Sequence, residues 1–410
     1  MKDVKIDGSN VQSFKKIKIS GSKSESNRIL ILKAFFKNIE INNLSISDDT
    51  KVLYDTLNNL QSKINIGHAG TSMRFLTAYL SLLEGKKFIL SGSKRMHERP
   101  IAVLVDALNN LGFNIRFLEK KGYPPLEISG TSNTKDVVKL NAHVSSQFIS
   151  ALALIGPSLK NGITIELDGE VTSKPYIEMT ISMLNEIGVY SSFEKNIIKI
   201  KSTNNIKDCT YNIESDWSSI SYFFSIVALS KNLELTFSSF NEKSFQGDIN
   251  VCNYYKQFGV GFRFDGNDII IFKIKNFINP KKIEINLNDN PDLAQTIIVT
   301  SFGLNIPTKL TGLSTLKVKE TDRLIALNNE LSKLGAKCII NNDSIEILKS
   351  DKLSFNDVTV STYNDHRMAL AFAPLSLINP IKINNPDVVS KSFPEFWKIL
   401  EKLNFYVEYL

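Results

Sequence analysis

Six stretches of this chain share one pattern: a few small, polar or charged residues, then a dense apolar run. They are SESNRILILKAF from Ser24, GTSMRFLTAYLSLL from Gly70, SSQFISALALIG from Ser145, SSISYFFSIVAL from Ser218, DLAQTIIVTSFGL from Asp292 and DHRMALAFAPLSL from Asp365. Apolar on nearly every side, they predict buried helices. From Gly70 onward their starts lie 73 to 75 residues apart. A constant period marks repeated units. The first start precedes the second by only 46 residues, so the first unit is shorter.

A second set of segments carries apolar residues on one helical face only. It covers 48–60, 101–111, 176–187, 249–258, 324–334 and 393–403. Several close on a glycine (Gly112, Gly188, Gly259, Gly335), the usual C-terminal signal. Short β-branched runs follow at 197–200, 269–271 and 345–347, and read as strands. Each unit therefore combines strands with one buried and one amphipathic helix, a mixed α/β (α+β) pattern. Six such units exceed a single core, so two domains of three units each is the expected partition.

Composition narrows the function. Of 410 residues, 42% are hydrophobic and 22% charged, near globular averages. No apolar run reaches the ~18 residues of a membrane span. The opening MKDVKIDGSNVQSF has no apolar centre, so neither a signal nor a transit peptide is expected. Cys209, Cys252 and Cys338 lie far apart, which speaks against structural zinc and disulfides. A reduced, cytoplasmic setting is expected. The net charge of +7 comes without a long basic run or a basic–aromatic stripe. Small anions are therefore expected as ligands rather than nucleic acid or a membrane.

The polar openings supply the chemistry. Gly21-Ser22-Lys23-Ser24-Glu25-Ser26-Asn27-Arg28 leads into the first buried helix. A helix N-terminus already favours an anion through its free N–H groups and dipole. Lys23, Arg28, Arg74, Gln147, Asp292, His366 and Arg367 fall at or near such starts. Arginine and lysine there oppose the dipole, a cost that an anion removes. The plainer alternative is a set of ordinary N-caps around a structural core. Four more clusters add charge: KVKETDRL at 317–324, YNDHRMA at 363–369, MHERP at 96–100 and KSFP at 391–394.

Taken in order, GSKSESNR, GHAGTSMRFL, ERPI, SSQF, SKPY, NPDLAQ, KVKETDR, YNDHRMA and SKSFPEFW resemble the 3-phosphoshikimate 1-carboxyvinyltransferases, or EPSP synthases, from about Lys15 to Trp397. The resemblance implies a two-domain inside-out α/β barrel of six repeated strand/helix units, three per domain. One domain would be 21–214, on the shikimate 3-phosphate side. The other would be 1–20 plus 215–410, with the active site in the cleft between them.

The implied reaction joins the 5-hydroxyl of shikimate 3-phosphate to C2 of phosphoenolpyruvate and releases phosphate, a step of the shikimate pathway to chorismate and the aromatic amino acids. By resemblance, Gly70, Arg99, Arg323, Arg367 and Lys391 hold phosphoenolpyruvate. Ser24, Arg28, Ser145, Ser146, Ser173 and Tyr176 hold shikimate 3-phosphate, with Asp292 and Lys319 also against it. Lys23 and Gln147 touch both substrates. Asp292 is implied as base and Glu320 as acid, with Lys23 and Lys319 in the catalytic set. The resemblance implies no metal, no cofactor and a monomer.

This chain departs from the family at His68, Phe75 and Lys317, where asparagine, proline and arginine are common, and has Thr315 where the family can carry a substrate-binding asparagine. Two alternatives are a UDP-N-acetylglucosamine enolpyruvyl transferase and a non-catalytic anion-binding repeat protein. The first usually carries a loop cysteine near the position of Arg99, where this chain has none. The second has no use for a carboxylate pair among cations.

Overall fold

In the computed structural model of the protein, residues 3–132, 134–143, 145–350 and 355–410 are described. The chain divides into two compact units, Gly21–Ile213 and Met1–Ser20 with Glu214–Leu410, each with its own apolar core. Glu214, expected at the end of the first, groups with the second. Its buried carboxylate accepts from Trp217 Nε1 at 2.8 Å and Asn241 N at 2.7 Å, both in that unit.

The unit Gly21–Ile213 contains α1 (Lys23–Phe35), α2 (Asp48–Asn58), α3 (Gly70–Ser81), α4 (Ala102–Asn110), α5 (Ser146–Ile155) and α6 (Lys174–Glu186). The other contains α7 (Trp217–Leu229), α8 (Val251–Lys256), α9 (Ala294–Gly303), α10 (Arg323–Lys333), α11 (His366–Phe372) and α12 (Phe396–Lys402). The odd-numbered helices are the buried runs and the even-numbered ones the amphipathic segments. Gly112, Gly188, Gly259 and Gly335 take positive φ just beyond even-numbered helices, where a side chain would be strained. Two helices are shorter than their apolar patterns. Pro374 cannot continue α11, which tightens into a 3₁₀ turn at Ala373–Leu377. Pro394 delays the start of α12 to Phe396.

The sheets show the repeat directly. Five of the six among the described residues have four strands in one pattern: a parallel pair, then two antiparallel partners. One example is Lys63–Asn65, parallel to Lys87–Ser91, followed by Leu126–Ser129 and Asn114–Phe117. The sixth is only the parallel pair Ile39–Asn42 and Cys209–Asn212. The short first unit thus lacks the antiparallel hairpin, which accounts for its 46-residue step.

The last unit lacks its own third strand, and the N-terminus supplies it. Asp3–Asp7 pairs antiparallel with both Ile381–Asn384 and Tyr406–Tyr409. Val4 and Ile6 point into the core and are fully buried. Burial of these side chains ties the inner strand of this sheet to the core. Ile6→Ala is therefore expected to lower stability by about 2–5 kcal/mol in urea unfolding. A loss below about 1 kcal/mol would show that the N-terminal strand is not part of the cooperative core.

Candidate active site

In the unit of Met1–Ser20 with Glu214–Leu410, residues at or just ahead of the starts of α9, α10 and α11 meet around one guanidinium. Arg323 opens α10, whose N-cap Asp322 accepts from Leu324 N and Ile325 N. With its side chain 2% exposed, Arg323 sends Nε to Asp365 Oδ2 at 2.7 Å, Nη1 to Asp292 Oδ1 at 2.8 Å and Nη2 to Glu320 Oε2 at 2.9 Å. Asp365 also caps α11, accepting from Arg367 N at 2.9 Å. Burial works against the charge on Arg323, but Asp365, Glu320 and Asp292 outweigh it and raise its pKa.

The carboxylates are shared with further cations. Asp292 lies in a 3₁₀ turn, Pro291–Leu293, ahead of α9. Its Oδ1 is 3.3 Å from Lys319 Nζ and its Oδ2 accepts from Arg367 Nη2 at 3.2 Å. Arg367 Nη1 also donates to the Asp292 carbonyl at 3.0 Å, while Nη2 reaches Ser218 Oγ at 3.3 Å. Glu320 Oε1 accepts from the buried Lys391 Nζ at 2.7 Å. Burial works against charge on Asp292, yet Arg367, Lys319 and Arg323 together hold its carboxyl well below the usual range. Four cations and three carboxylates thus share one small volume. Every predicted residue of this unit joins the cluster. Asp365 and Ser218 carry no predicted role but sit in the quoted motif and at a helix opening.

The unit Gly21–Ile213 brings its predicted residues together more loosely. Lys23 opens α1 and lies 3.4 Å from Asp49 Oδ2 at the start of α2. Arg28 is buried against neutral oxygens: Nε to Thr180 Oγ1 at 2.7 Å, Nη1 to the Ser24 carbonyl at 2.8 Å, and Nη2 to Ser150 Oγ and the Tyr176 carbonyl, each at 3.1 Å. A guanidinium has five N–H donors, so nearly all of them are committed to the protein. Burial pushes the Arg28 pKa down to about 10, with Tyr176 and Glu25 opposing. Among the described residues no carboxylate is hydrogen-bonded to Arg28, the condition in which an added anion stabilises.

Arg99 covers the start of α3: a Cβ built on Gly70 would fall 2.5 Å from Arg99 Nη1. The buried Arg99 Nε has no hydrogen-bond partner among the described residues. Arg74 braces this corner, donating to the Gly70 carbonyl at 3.1 Å and the Pro100 carbonyl at 3.2 Å. Ser145 caps α5, Ser146 is its buried first residue, and Gln147 Nε2 reaches Thr71 Oγ1 at 3.3 Å. Ser173, in the left-handed region with φ 53°, precedes α6, and its carbonyl accepts from Tyr176 N at 3.2 Å. Of the departures, Phe75 is buried with its ring centroid 5.6 Å from Arg28 Cζ, and Lys317 binds Asn342 Oδ1 at the surface.

The sequence model of EPSP synthase (3-phosphoshikimate 1-carboxyvinyltransferase) matches residues 61–400. The chain belongs to the EPSP synthase family. A 3-phosphoshikimate 1-carboxyvinyltransferase of Bacteroides fragilis is 41% identical over 392 residues, covering 95% of each chain. One from Colwellia psychrerythraea is 34% identical, covering 94% of this chain and 96% of its own. Among solved structures, EPSP synthase from Acinetobacter baumannii superposes with a TM-score of 0.77 at 22% identity over the whole of both chains. The enolpyruvyl transferase NikO from Streptomyces tendae gives 0.76 at 13% identity, covering 100% of this chain and 99% of its own. At those identities the structures show the shared mixed α/β fold. No helix among the described residues is long and apolar enough to cross a membrane.

The depressed Asp292 pKa has a thermodynamic consequence. In the unfolded chain an aspartate titrates near 3.9. Asp292 therefore contributes stability that is fully present above that value and lost as pH falls through its lower folded pKa. In melting scans from pH 7 to pH 3, the gap between wild type and Asp292→Asn is expected to be widest above about pH 5 and to shrink on acidification. A gap that stays constant, or widens in acid, would contradict the ion-paired carboxylate.

Proposed function

We propose that the chain transfers the enolpyruvyl group of phosphoenolpyruvate to the 5-hydroxyl of shikimate 3-phosphate, releasing phosphate and forming 5-enolpyruvylshikimate 3-phosphate. The observation that carries the roles is the pairing around Arg323. Two carboxylates, Asp292 and Glu320, each bind Arg323 and a lysine or second arginine. A site that only held anions would be weakened by carboxylates placed among its cations.

The reaction adds the hydroxyl oxygen to C2 of the enol and a proton to its methylene carbon. The tetrahedral adduct then loses that proton and the phosphate. One group must take the hydroxyl proton, and another must give a proton to the methylene carbon and accept one back as phosphate leaves. We assign Asp292 as base and Glu320 as acid, with Lys319 and Lys23 offsetting the charge that develops. At rest Asp292 is a poor base because three cations hold its carboxyl in the charged form. The carboxylate and phosphate of phosphoenolpyruvate would engage Arg323, Arg367 and Lys391. Those anions dilute the positive field on Asp292 and Glu320 and raise the proton affinity of both. The base then gains strength only when its substrate is present.

Gly70, Arg99 and Gln147 complete the phosphoenolpyruvate contacts in this reading, the free Nε of Arg99 being a ready donor. Lys23, Ser24, Arg28, Ser145, Ser146, Ser173 and Tyr176 hold shikimate 3-phosphate, whose phosphate supplies the negative charge that buried Arg28 lacks. We also read each unit as an inside-out barrel, with the odd-numbered helices inside and the sheets around them. The burial of those helices on all sides supports this.

A coupled phosphate-release assay tests the function. Phosphate is expected only when both substrates are present. Asp292→Asn and Glu320→Gln keep size and should each lower turnover roughly 10²–10⁴-fold, with shikimate 3-phosphate binding retained. Near-normal turnover in either variant would remove that residue from the acid–base pair.

A further inference from the structure

Two turns beyond Arg323, on the same face of α10, lies a second fully buried acid that the reaction does not use. Glu330 Oε1 accepts from the Tyr363 hydroxyl at 2.6 Å and from Lys333 Nζ at 2.8 Å. Its Oε2 accepts from Ser361 N at 3.0 Å and from Lys333 Nζ at 2.8 Å. Ser361 and Tyr363 belong to the loop that delivers Asp365 and Arg367. Within that loop Tyr363 and Asn364 take φ of 53° and 55°, left-handed conformations in two successive residues with side chains. Such backbone persists only where the surroundings hold it. Asn385 Nδ2 steadies the second of them at Asn364 Oδ1, 3.2 Å away. Asp365 then lands on Arg323 and caps α11, which aims Arg367 at Asp292.

One helix therefore grips one loop at two points: Arg323 holds Asp365, and Glu330 holds Ser361 and Tyr363. The geometry points to Glu330, acting through the Tyr363 hydroxyl, as a positioning residue that fixes the strained turn and so sets Arg367 and Asp365 for phosphoenolpyruvate. This rests on the function proposed above. The cost of losing it falls on the substrate those arginines hold. Shikimate 3-phosphate, held chiefly by residues of the other unit with only Asp292 and Lys319 reaching it from this one, is affected far less.

Tyr363→Phe removes the donated hydrogen bond and keeps the ring. Glu330→Gln keeps one acceptor oxygen and loses the charge that also holds Lys333. Steady-state kinetics with each substrate varied in turn should show KM for phosphoenolpyruvate raised roughly 2- to 30-fold in Tyr363→Phe, with KM for shikimate 3-phosphate changed by less than about twofold. Glu330→Gln, if it folds, should shift the same constant in the same direction. An unchanged phosphoenolpyruvate KM in Tyr363→Phe, or both KM values rising in step, would overturn the inference. Wild-type enzyme run alongside separates the two claims: without phosphate release from both substrates together the reaction is misread, whereas an active wild type with an indifferent Tyr363→Phe sinks the positioning role alone.

Discussion

A single buried arginine orders half of the candidate site. The Arg323 fork holds Asp292, Glu320 and Asp365 within 2.7–2.9 Å. A buried guanidinium needs an acceptor for its donors, and a buried carboxylate needs a cation or donors of its own. The interaction therefore runs both ways: Arg323 needs the acids, and the acids need Arg323, Lys319, Arg367 and Lys391. Removing Arg323 breaks three buried pairs at once, and breaking a buried pair typically costs about 3–5 kcal/mol. Stability and chemistry draw on the same bonds here. The arrangement also explains why carboxylates can sit among cations meant for anions. They neutralise the site until a substrate takes over some of the cations.

The repeat explains how these residues come together. In each full unit a buried helix, a strand, an amphipathic helix and further strands recur. The buried helices of one unit bring their first turns to a common point, as the bonds from Arg367 to Ser218 on α7 and to Asp292 ahead of α9 show. Variations on one element thus bring a cluster of polar helix starts together in this unit. The shortened first unit and the borrowed N-terminal strand mark where the repeat is cut to fit one chain.

Much of this was legible in the residues, because the 73–75-residue period and the helical spacing are local properties of the chain. Helix ends were less so where proline intervened, as at Pro374 and Pro394. Sheet pairing was not legible at all, since Asp3–Asp7 meets strands near the far end of the chain, a contact with no local signal. In the site, the cations and the Asp292–Glu320 pair stood out in their motifs. Their partners did not. Asp365 lies 42 residues from Arg323, and Asp49 reads as an ordinary first-turn acid of α2 until Lys23 is seen beside it. Glu330 and Tyr363 each look unremarkable in sequence, and only the left-handed turn and the 2.6 Å bond connect them.

The fork of Arg323, and not merely its charge, assembles the site. Arg323→Lys tests it most directly, because lysine keeps the charge but cannot bind three carboxylates in a fixed plane. In this variant kcat/KM for phosphoenolpyruvate is expected to fall roughly 10²-fold, with shikimate 3-phosphate binding by calorimetry nearly unchanged. A lysine variant with near-wild-type kcat/KM would contradict it.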